Sequence, residues 1–404
     1  MKSIKSVLRG NIRQYAMIIA LVVVILVFQI LTSGILKEPV SFGDMFTKGI
    51  LLQPLNISNL IQQNAYVLIL AIGMLLCILT IGNIDLSVGS VVGFVGAMSA
   101  IFILKMGMPV WIAMILSLFI GFIIGAWQGM WIAYIGVPAF IVTLGGQLIF
   151  RGLTMVVLQG TSLAPLPETY TFIAAGFLPD FANIEGYNVL TLVLGAVASV
   201  LFIFNEISKR ANRKKYNFDV SHPGTFVAKI VLITAVIMAF CYALSLYRGI
   251  PMVLVIVVAL VLLYTFVTEK TIPGRHIYAF GGNPKAARLS GIKTKRVLFW
   301  VYVNMGVLTA LAGIVFTGRL NSATPKGGYG FELDAISACF IGGASTTGGI
   351  GTVIGAIVGG LLMGVLNNGM SIMGVSIDWQ QAIKGFVLLL AVGFDVLSKS
   401  KSKT

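Results

Sequence analysis

Long apolar segments recur along almost the whole chain and constrain its fold more than any other feature. The hydrocarbon core of a bilayer is about 30 Å thick, so a helix needs about 20 apolar residues to cross it. Lipid offers the backbone no hydrogen-bond partners, so spanning segments must be helices or strands of a closed barrel. Their lengths here favour helices, and we predict an all-α polytopic membrane protein. The segments lie at about 15–36, 64–82, 86–104, 109–135, 138–158, 187–205, 226–247, 250–268, 297–318, 348–369 and 379–397.

The distribution of charge predicts how these segments cross the membrane. Charged residues make up only 10% of the 404 residues, against about 25% in a soluble domain. Lys and Arg cluster at 1–14, 209–215, 270–296 and 399–403, as cytoplasmic loops do. With both termini cytoplasmic, about twelve crossings are needed. The run 333–345 must then be a short or broken crossing, which membrane proteins tolerate where it lines protein or a cavity.

Other classes of function are excluded by the same sequence. The net charge is +15, but the basic residues flank apolar runs and do not interleave with exposed aromatics, so no nucleic-acid partner is expected. Three cysteines and two histidines are too scattered for a disulfide framework or a metal site. No G-x-x-x-x-G-K-S/T phosphate loop and no cluster of catalytic groups is present. Residues 1–404 form one transmembrane domain, because no polar linker of domain size divides them.

A polar break interrupts the apolar sequence at Asn83, Asp85 and Ser87. A carboxylate at the centre of a bilayer costs about 2.5–3.5 kcal/mol, so Asp85 must touch water, protein partners or an interface. The 19 residues of 64–82 span about 28 Å as a helix, which places the break near the inner face. Asp before an apolar run is a favoured N-cap. The alternative is that the three polar residues line a hydrophilic path.

The cytoplasmic stretch "GGNPKAARLSGI" predicts a short helix with both ends defined. Asn283 is a good N-cap and Pro284 suits the first helical position. Gly291 is a natural stop. A helix of two turns is marginal alone in water, so it must dock, through the apolar residues Ala286, Ala287 and Leu289. It either rests on its own membrane domain or docks on a soluble partner.

A glycine-rich region covers 327–369. Small residues every four positions let helix backbones approach closely, and five glycines have this spacing: Gly351, Gly355, Gly359, Gly360 and Gly364. Glu332 and Asp334 begin the short run of this region, where the helix dipole favours negative charge.

Four ordered motifs carry a family resemblance. They are "IGNIDLSVGS" (81–90), "VPAFIVTLGGQLIFRGL" (137–153), "GRHIYAFGGNPKAARLSGI" (274–292) and "GYGFELDAISACFIGGASTTGGIGTVIGAIVGGLLMGVLNNGM" (328–370). Together they resemble the permease subunits of bacterial ABC monosaccharide importers of the ribose, xylose, arabinose and galactose type. The first motif departs from the family's TGGIDLSVGS at Ile81 and Asn83. The resemblance covers nearly the whole chain except about 187–250, a two-span insertion that the longer xylose and multiple-monosaccharide permeases share.

The resemblance implies a transmembrane subunit of the bacterial plasma (inner) membrane that imports a monosaccharide, a pentose such as xylose, by alternating access. It implies three partners: a second copy of the chain, a cytoplasmic ABC ATPase of the double-domain kind, and an extracytoplasmic sugar-binding protein. The chain would hold no cofactor, since ATP and Mg²⁺ bind the ATPase. The alternative is a stand-alone ion-coupled transporter or channel, which predicts ionisable residues deep within the spans.

The same resemblance assigns the cytoplasmic region 275–296 to coupling with the ATPase. Its candidate coupling residues are Asn283, Pro284, Ala286, Ala287, Arg288, Leu289, Ser290 and Gly291. Polar residues in or beside the spans are candidates for the pathway: Asn64, Asn83, Asp85, Ser87, Gln128, Gln147, Asn367 and Asn368. The residues that recognise the sugar are expected on the binding protein.

Overall fold

The computed structural model describes residues 12–35, 42–182, 186–218, 220 and 222–400, and it is built of helices. Among those residues the β-type pairing amounts to two isolated bridges, Leu163 with Ala323 and Phe177 with Pro251. The predicted all-α architecture is confirmed.

Sixteen α-helices lie within the described residues, and α5 continues into a π-helical turn at Trp131–Ile135. They are α1 (Ile12–Leu31), α2 (Phe42–Thr47), α3 (Pro54–Ile81), α4 (Val88–Leu104), α5 (Val110–Met130), α6 (Ala139–Leu158), α7 (Glu168–Ala175), α8 (Val189–Lys215), α9 (Pro223–Ser245), α10 (Met252–Lys270), α11 (Ile272–Gly282), α12 (Pro284–Leu289), α13 (Thr294–Leu320), α14 (Phe331–Ile341), α15 (Val353–Ile372) and α16 (Ile377–Ser400).

Eight of these helices are long and apolar enough to cross a membrane: α3, α5, α6, α8, α9, α10, α13 and α15. Two shorter apolar helices, Met17–Leu31 within α1 and the whole of α4, join them. With α16 and the broken crossing that contains α14, the order of helices accommodates the twelve predicted crossings within the described residues. Residues 1–11 of the first basic cluster and residues 401–403 of the last lie outside the described residues.

Helix α3 lies at the centre of the domain. Of its most apolar stretch, 89% is buried inside the protein, among apolar side chains from α13, α14 and α15. It begins at Pro54, although hydropathy predicted a start near residue 64. The first turns carry polar side chains such as Asn56 and Gln62, which pack against other helices and therefore do not raise the hydropathy signal.

The broken crossing is made of α14 and the segment 321–330. Helix α14 has 11 residues and is about 16 Å long, half of a bilayer crossing. The segment 321–330 folds back from the end of α13 and contacts α4, since a Cβ on Gly93 would lie 2.5 Å from the carbonyl oxygen of Gly327. A crossing by the predicted run 333–345 would therefore include ten further residues that hydropathy did not indicate.

Glycines bring α14 and α15 together as an antiparallel pair. A Cβ on Gly355 would lie 2.3 Å from the carbonyl oxygen of Gly342, and one on Gly359 would lie 2.0 Å from that of Ala338. Gly351 differs from the other glycines of the predicted spacing, because it precedes the helix with a φ of +150°. The spacing of four is helical only from Gly355 onward.

The other two glycines of that region face α3. A Cβ on Gly360 would lie 2.6 Å from Cδ2 of Leu68, and one on Gly364 would lie 2.7 Å from Cγ of Asn64. Helix α15 therefore packs closely on α14 with one side and on α3 with another.

A second break, at 82–87, follows α3. The sequence placed Asp85 near the inner face, but its backbone N–H lies 3.5 Å from Sδ of Met74. Met74 is two turns back along α3, about 10 Å from its end. The segment therefore returns into the membrane before α4 begins, and Asp85 is only 2% exposed.

Helices α8 and α9 form a hairpin at the edge of the domain. Only 17% and 11% of their apolar stretches are buried, so the rest of the described chain leaves most of this hairpin uncovered. Helix α8 runs on to Lys215, beyond the predicted end near 205, because its last turns are polar and basic and therefore do not raise the hydropathy signal. Arg213, Lys214 and Lys215 lie in the last turn, where cations favour a helix.

The topology can be checked by labelling single cysteines. The native cysteines Cys77, Cys241 and Cys339 are buried and are first replaced by serine. Cysteine at Asn212 or Pro284 should resist a membrane-impermeant thiol reagent in intact cells, whereas cysteine at Thr169 should react, since all three positions are exposed. In opened membranes all three should react equally, which controls for accessibility. Reaction of Asn212 from outside would contradict the twelve crossings.

Candidate functional site

A polar cavity lies between the outer ends of α3, α13 and α15 and the start of α14. Its volume is about 340 Å³. It combines aromatic rings, amides and two cations. Its lining residues are Gln63, Asn64, Tyr66, Phe316, Arg319, Leu320, Lys326, Gly328, Tyr329, Phe331, Asn367 and Ser371.

Three aromatic rings form one wall of this outer cavity. Tyr66 and Phe331 stack with ring centroids 4.0 Å apart. Phe316 meets both edge-on, 5.4 Å from Tyr66 and 4.8 Å from Phe331. Stacked and edge-to-face pairs are the favoured arrangements of aromatic rings, so each ring holds the others in place and the wall is preorganised.

Two buried polar atoms of the outer cavity have no hydrogen-bond partner among the described residues. They are Oδ1 of Asn367 and Nε of Arg319. Buried polar atoms are paired in the great majority of cases. One of these atoms accepts and the other donates a hydrogen bond, and a hydroxylated ligand can do both.

A ladder of amides lies behind the cavity. Nδ2 of Asn56 donates to Oδ1 of Asn368 at 2.8 Å, and Nδ2 of Asn368 donates back to Oδ1 of Asn56 at 3.2 Å. Nδ2 of Asn368 also lies 3.3 Å from Oε1 of Gln63. The two neighbouring asparagines therefore differ: Asn368 joins α15 to α3, while Asn367 lines the cavity.

Asp85 belongs to a separate cluster and does not line the cavity. Its Oδ1 accepts hydrogen bonds from the backbone N–H of Ser87 at 2.9 Å and from Oγ of Ser87 at 2.7 Å. Nε2 of Gln128 donates to the same Oγ at 2.7 Å. The carboxylate therefore supports the first turn of α4 through Ser87, as an N-cap would. Asn83 lies half-buried in the same break.

The acids at the start of α14 are each held by another helix. Nε2 of Gln147 in α6 donates to Oε1 of Glu332 at 3.1 Å. Lys384 in α16 forms an ion pair with Asp334 at 3.0 Å. Nη1 of Arg151 donates to the carbonyl oxygen of Gly327 at 2.9 Å. Gln147 was a predicted pathway residue, and the structure places it among these anchors of the broken crossing.

The short cytoplasmic helix α12 has both of the predicted ends. Oδ1 of Asn283 accepts the backbone N–H of Ala286 at 3.0 Å. At the other end, Gly291 has a φ of +84°, and the N–H groups of Gly291 and Ile292 donate to the carbonyl oxygens of Arg288 and Ala287. This pair of bonds is the Schellman stop.

The predicted apolar face of α12 is divided. Leu289 is 89% exposed, whereas Ala287 is only 4% exposed, because it faces the protein's own membrane domain. Ala286 is exposed. The outward surface of α12 is therefore centred on Leu289, and Ala287 is part of the support beneath it.

Close contacts join this region to the loop between α14 and α15. A Cβ on Gly281, at the end of α11, would lie 1.9 Å from the carbonyl oxygen of Leu79 and 2.5 Å from N of Gly349. Oη of Tyr278 donates to the carbonyl oxygen of Gly351 at 2.7 Å. These contacts join α11 to the loop that follows α14, and the other end of α14 lies at the outer cavity.

Sequence reasoning did not identify the aromatic wall or Arg319. Aromatic residues within apolar segments indicate packing as often as a site, and no spacing distinguishes them. The one usable signal was the run Gln62, Gln63 and Asn64, two residues before Tyr66, which places polar groups on a largely apolar helix.

Comparisons with known proteins agree with the motifs. Residues 56–392 match the family model described as branched-chain amino acid transport system / permease component. The xylose transport system permease protein XylH of Haemophilus influenzae is 38% identical over 391 residues, covering 97% of this chain and 98% of the relative. XylH of Escherichia coli is 36% identical, covering 97% and 94%. The ribose import permease protein RbsC of Bacillus subtilis is 35% identical, covering 85% of each chain. No solved structure matches the chain.

The two neighbouring asparagines provide a matched pair of variants. Asn368→Leu leaves Asn56 without its amide partner, and we expect a loss of about 1–2 kcal/mol in stability. Asn367→Leu removes an atom without a protein partner and should change stability by less than about 0.5 kcal/mol. Thermal unfolding of both variants in detergent measures the difference. Equal destabilisation would contradict the separation of ladder and cavity.

Proposed function

The chain belongs to the permease family of ABC transport systems, and we propose that it forms the membrane path of an importer for a pentose such as D-xylose. The observation that carries the substrate class is the 38% identity to a xylose permease along 98% of that relative's length. The family description names branched-chain amino acids, but the relatives that match along nearly their whole length are named for xylose.

A permease of this kind is a multi-pass membrane protein, and its partners are an ATPase and a substrate-binding protein. In this proposal ATP and Mg²⁺ bind the ATPase, which is of the double-domain kind. A self-sufficient ion-coupled transporter receives no support from the comparisons. The buried acids Asp85, Glu332 and Asp334 already have structural partners in Ser87, Gln147 and Lys384.

The sugar passes through the outer cavity. Pentoses present apolar C–H faces and a ring of hydroxyl groups, which suit an aromatic wall and unpaired amide and guanidinium groups. The rings of Tyr66 and Phe331 supply the aromatic wall. Asn367 and Arg319 supply the unpaired amide and guanidinium groups. A site of this kind gives weak, transient contacts, which transport requires because the sugar must also leave.

Transport follows alternating access, with α12 as the helix that docks on the ATPase. Leu289 is the most exposed large apolar side chain of the described residues, yet it lies on a cytoplasmic helix where no lipid covers it. ATPase closure would move α12 and α11, and the contacts of Gly281 and Tyr278 would transmit that movement to α14.

A second copy of the chain completes the importer. The described residues present one docking helix of this type, and a double-domain ATPase offers two docking surfaces. Two copies would place two outer cavities and two α12 helices about one axis, which is the common symmetry of homo-oligomers.

Variants of Leu289 and Ala287 distinguish docking of α12 on the ATPase from packing of α12 on its own membrane domain. Leu289→Glu places an unpaired charge into an apolar contact, which costs several kcal/mol. We expect uptake of D-xylose to fall to near zero and the ATPase to stop co-purifying, while expression and thermal stability of the permease stay normal. Ala287→Glu should instead destabilise the permease itself, because that side chain is buried against its own domain.

Lys295, beyond the stop of α12, supplies the milder control: Lys295→Glu should retain most uptake. If Leu289→Glu abolished expression while the surviving protein still bound the ATPase, α12 would be a packing helix and the docking proposal would fail.

The outer cavity is tested at Asn367. Loss of one hydrogen bond to the sugar lowers uptake by roughly tenfold for Asn367→Leu. Asn367→Gln keeps the amide group and should retain more of the D-xylose uptake than Asn367→Leu does. Both variants must still assemble with the ATPase and hydrolyse ATP, which separates loss of the path from loss of coupling. Normal D-xylose uptake by Asn367→Leu would exclude this cavity from the path.

A further inference from the structure

A second cavity lies at the cytoplasmic end of the α8–α9 hairpin. Its volume is about 480 Å³. Lys209, Arg210 and Arg213 line it from α8, and Phe226 and Lys229 line it from α9. Neither the outer cavity nor the docking helix α12 shares any of these residues, so this basic cavity has no part in the proposed transport path.

The described side chains of the basic cavity carry more positive than negative charge. Lys229 is paired with Glu206, whose Oε2 lies 2.7 Å from Nζ. Lys209, Arg210 and Arg213 form no ion pair among the described residues. Among the described residues, four cations and one anion line the space, and their formal charges sum to +3. An anion would be attracted to it.

The side chain of Arg210 is positioned by an aromatic ring and keeps a hydrogen-bond donor that is free among the described residues. Its guanidinium lies over the ring of Phe226, 4.3 Å from the centroid, which fixes its plane. Its Nη1 is buried and has no hydrogen-bond partner among the described residues. Buried donors are normally paired, and a planar guanidinium matches the oxygens of a phosphate with two parallel hydrogen bonds.

The depth of the basic cavity in the membrane identifies the source of the anion. The hairpin is anchored at its outer end, where the N–H of Asn188 donates to the carbonyl oxygen of Ser245 at 3.0 Å. Lys209 is twenty residues beyond Val189, and Phe226 is nineteen residues before Ser245. Both distances are about 30 Å along a helix, the thickness of the hydrocarbon core. The cavity therefore lies at the level of the inner headgroups.

We propose that the basic cavity binds the phosphate of an anionic phospholipid of the inner leaflet. The recognised group is a phosphate, and the membrane supplies it, because the hairpin around the cavity faces lipid and is only 11–17% buried in its apolar stretches. Basic pockets on the cytoplasmic side of membrane helices suit such headgroups. The bound lipid would hold the ends of α8 and α9 together.

The alternative is that these residues serve only to orient the chain. Basic loops on the cytoplasmic side occur in membrane proteins whether or not they bind lipid. Lys214 and Lys215 are suited to that role alone, since they lie on the same helix, are exposed and do not line the cavity. They provide a control with the same change of charge.

The test measures retained lipid on the whole chain purified in detergent. Native mass spectrometry with added phosphatidylglycerol or phosphatidylcholine should show a discrete adduct with the first lipid and at least tenfold less with the second. The double variant R210Q/R213Q should weaken the phosphatidylglycerol adduct by about 30-fold, since each basic side chain near a headgroup contributes roughly a factor of five. K214Q/K215Q should weaken it by less than about threefold. The thermal stability of both double variants without lipid should match that of the unchanged chain.

Two results would overturn the proposal. Equal weakening in the two double variants would mean diffuse attraction without a built site. If inorganic phosphate at millimolar concentration displaced the lipid completely, or protected the chain from heat as well as phosphatidylglycerol did, the cavity would be a site for a soluble phosphate compound. A phosphatidylglycerol adduct that resists inorganic phosphate and depends on Arg210 and Arg213 supports the lipid.

Discussion

The structure depends on one constraint: inside a bilayer, every backbone polar group needs a partner from the protein. Regular helices meet it by themselves, but the breaks at 82–87 and 321–330 do not. Each break is therefore surrounded by other helices. Asp85 accepts the N–H of Ser87, and Arg151 donates to the carbonyl oxygen of Gly327. Asp85 is only 2% exposed, and it can remain at membrane depth because it accepts a hydrogen bond from the backbone of the break.

The same constraint explains why the two breaks lie next to each other around α4. Carbonyl oxygens of 327 and 328 approach the glycines of α4 so closely that any side chain would collide. One end of the second break contributes to the outer cavity through α14. The loop at the other end of α14 lies against α11. Helix α14 therefore lies between the outer cavity and the region proposed to dock on the ATPase. It is anchored by the ion pair from Lys384 to Asp334 and the hydrogen bond from Gln147 to Glu332.

Part of the candidate site could be predicted from the residues. Asn283, Pro284 and Gly291 define α12 by local chemistry, because an N-cap and a left-handed stop act within one turn of their own backbone. The outward position of Leu289 and the inward position of Ala287 could not be separated, since a helix of six residues has too few positions to show which side meets the domain. The aromatic wall forms only where side chains from α3, α13 and α14 meet, and no local sequence pattern predicts such a contact.

The sequence by itself determined the helical membrane architecture and the family, because hydropathy and motifs are properties of contiguous residues. The twelve crossings and the cytoplasmic side of the basic loops stay predictions from charge placement. Only the tertiary structure decided what the polar residues within the spans do. It placed Asn367 at a cavity and its neighbour Asn368 in a ladder to α3, and it turned Asp85 back toward Met74. The physical reason is that a polar group in a membrane is defined by its partner, and these partners lie up to 312 positions away along the chain.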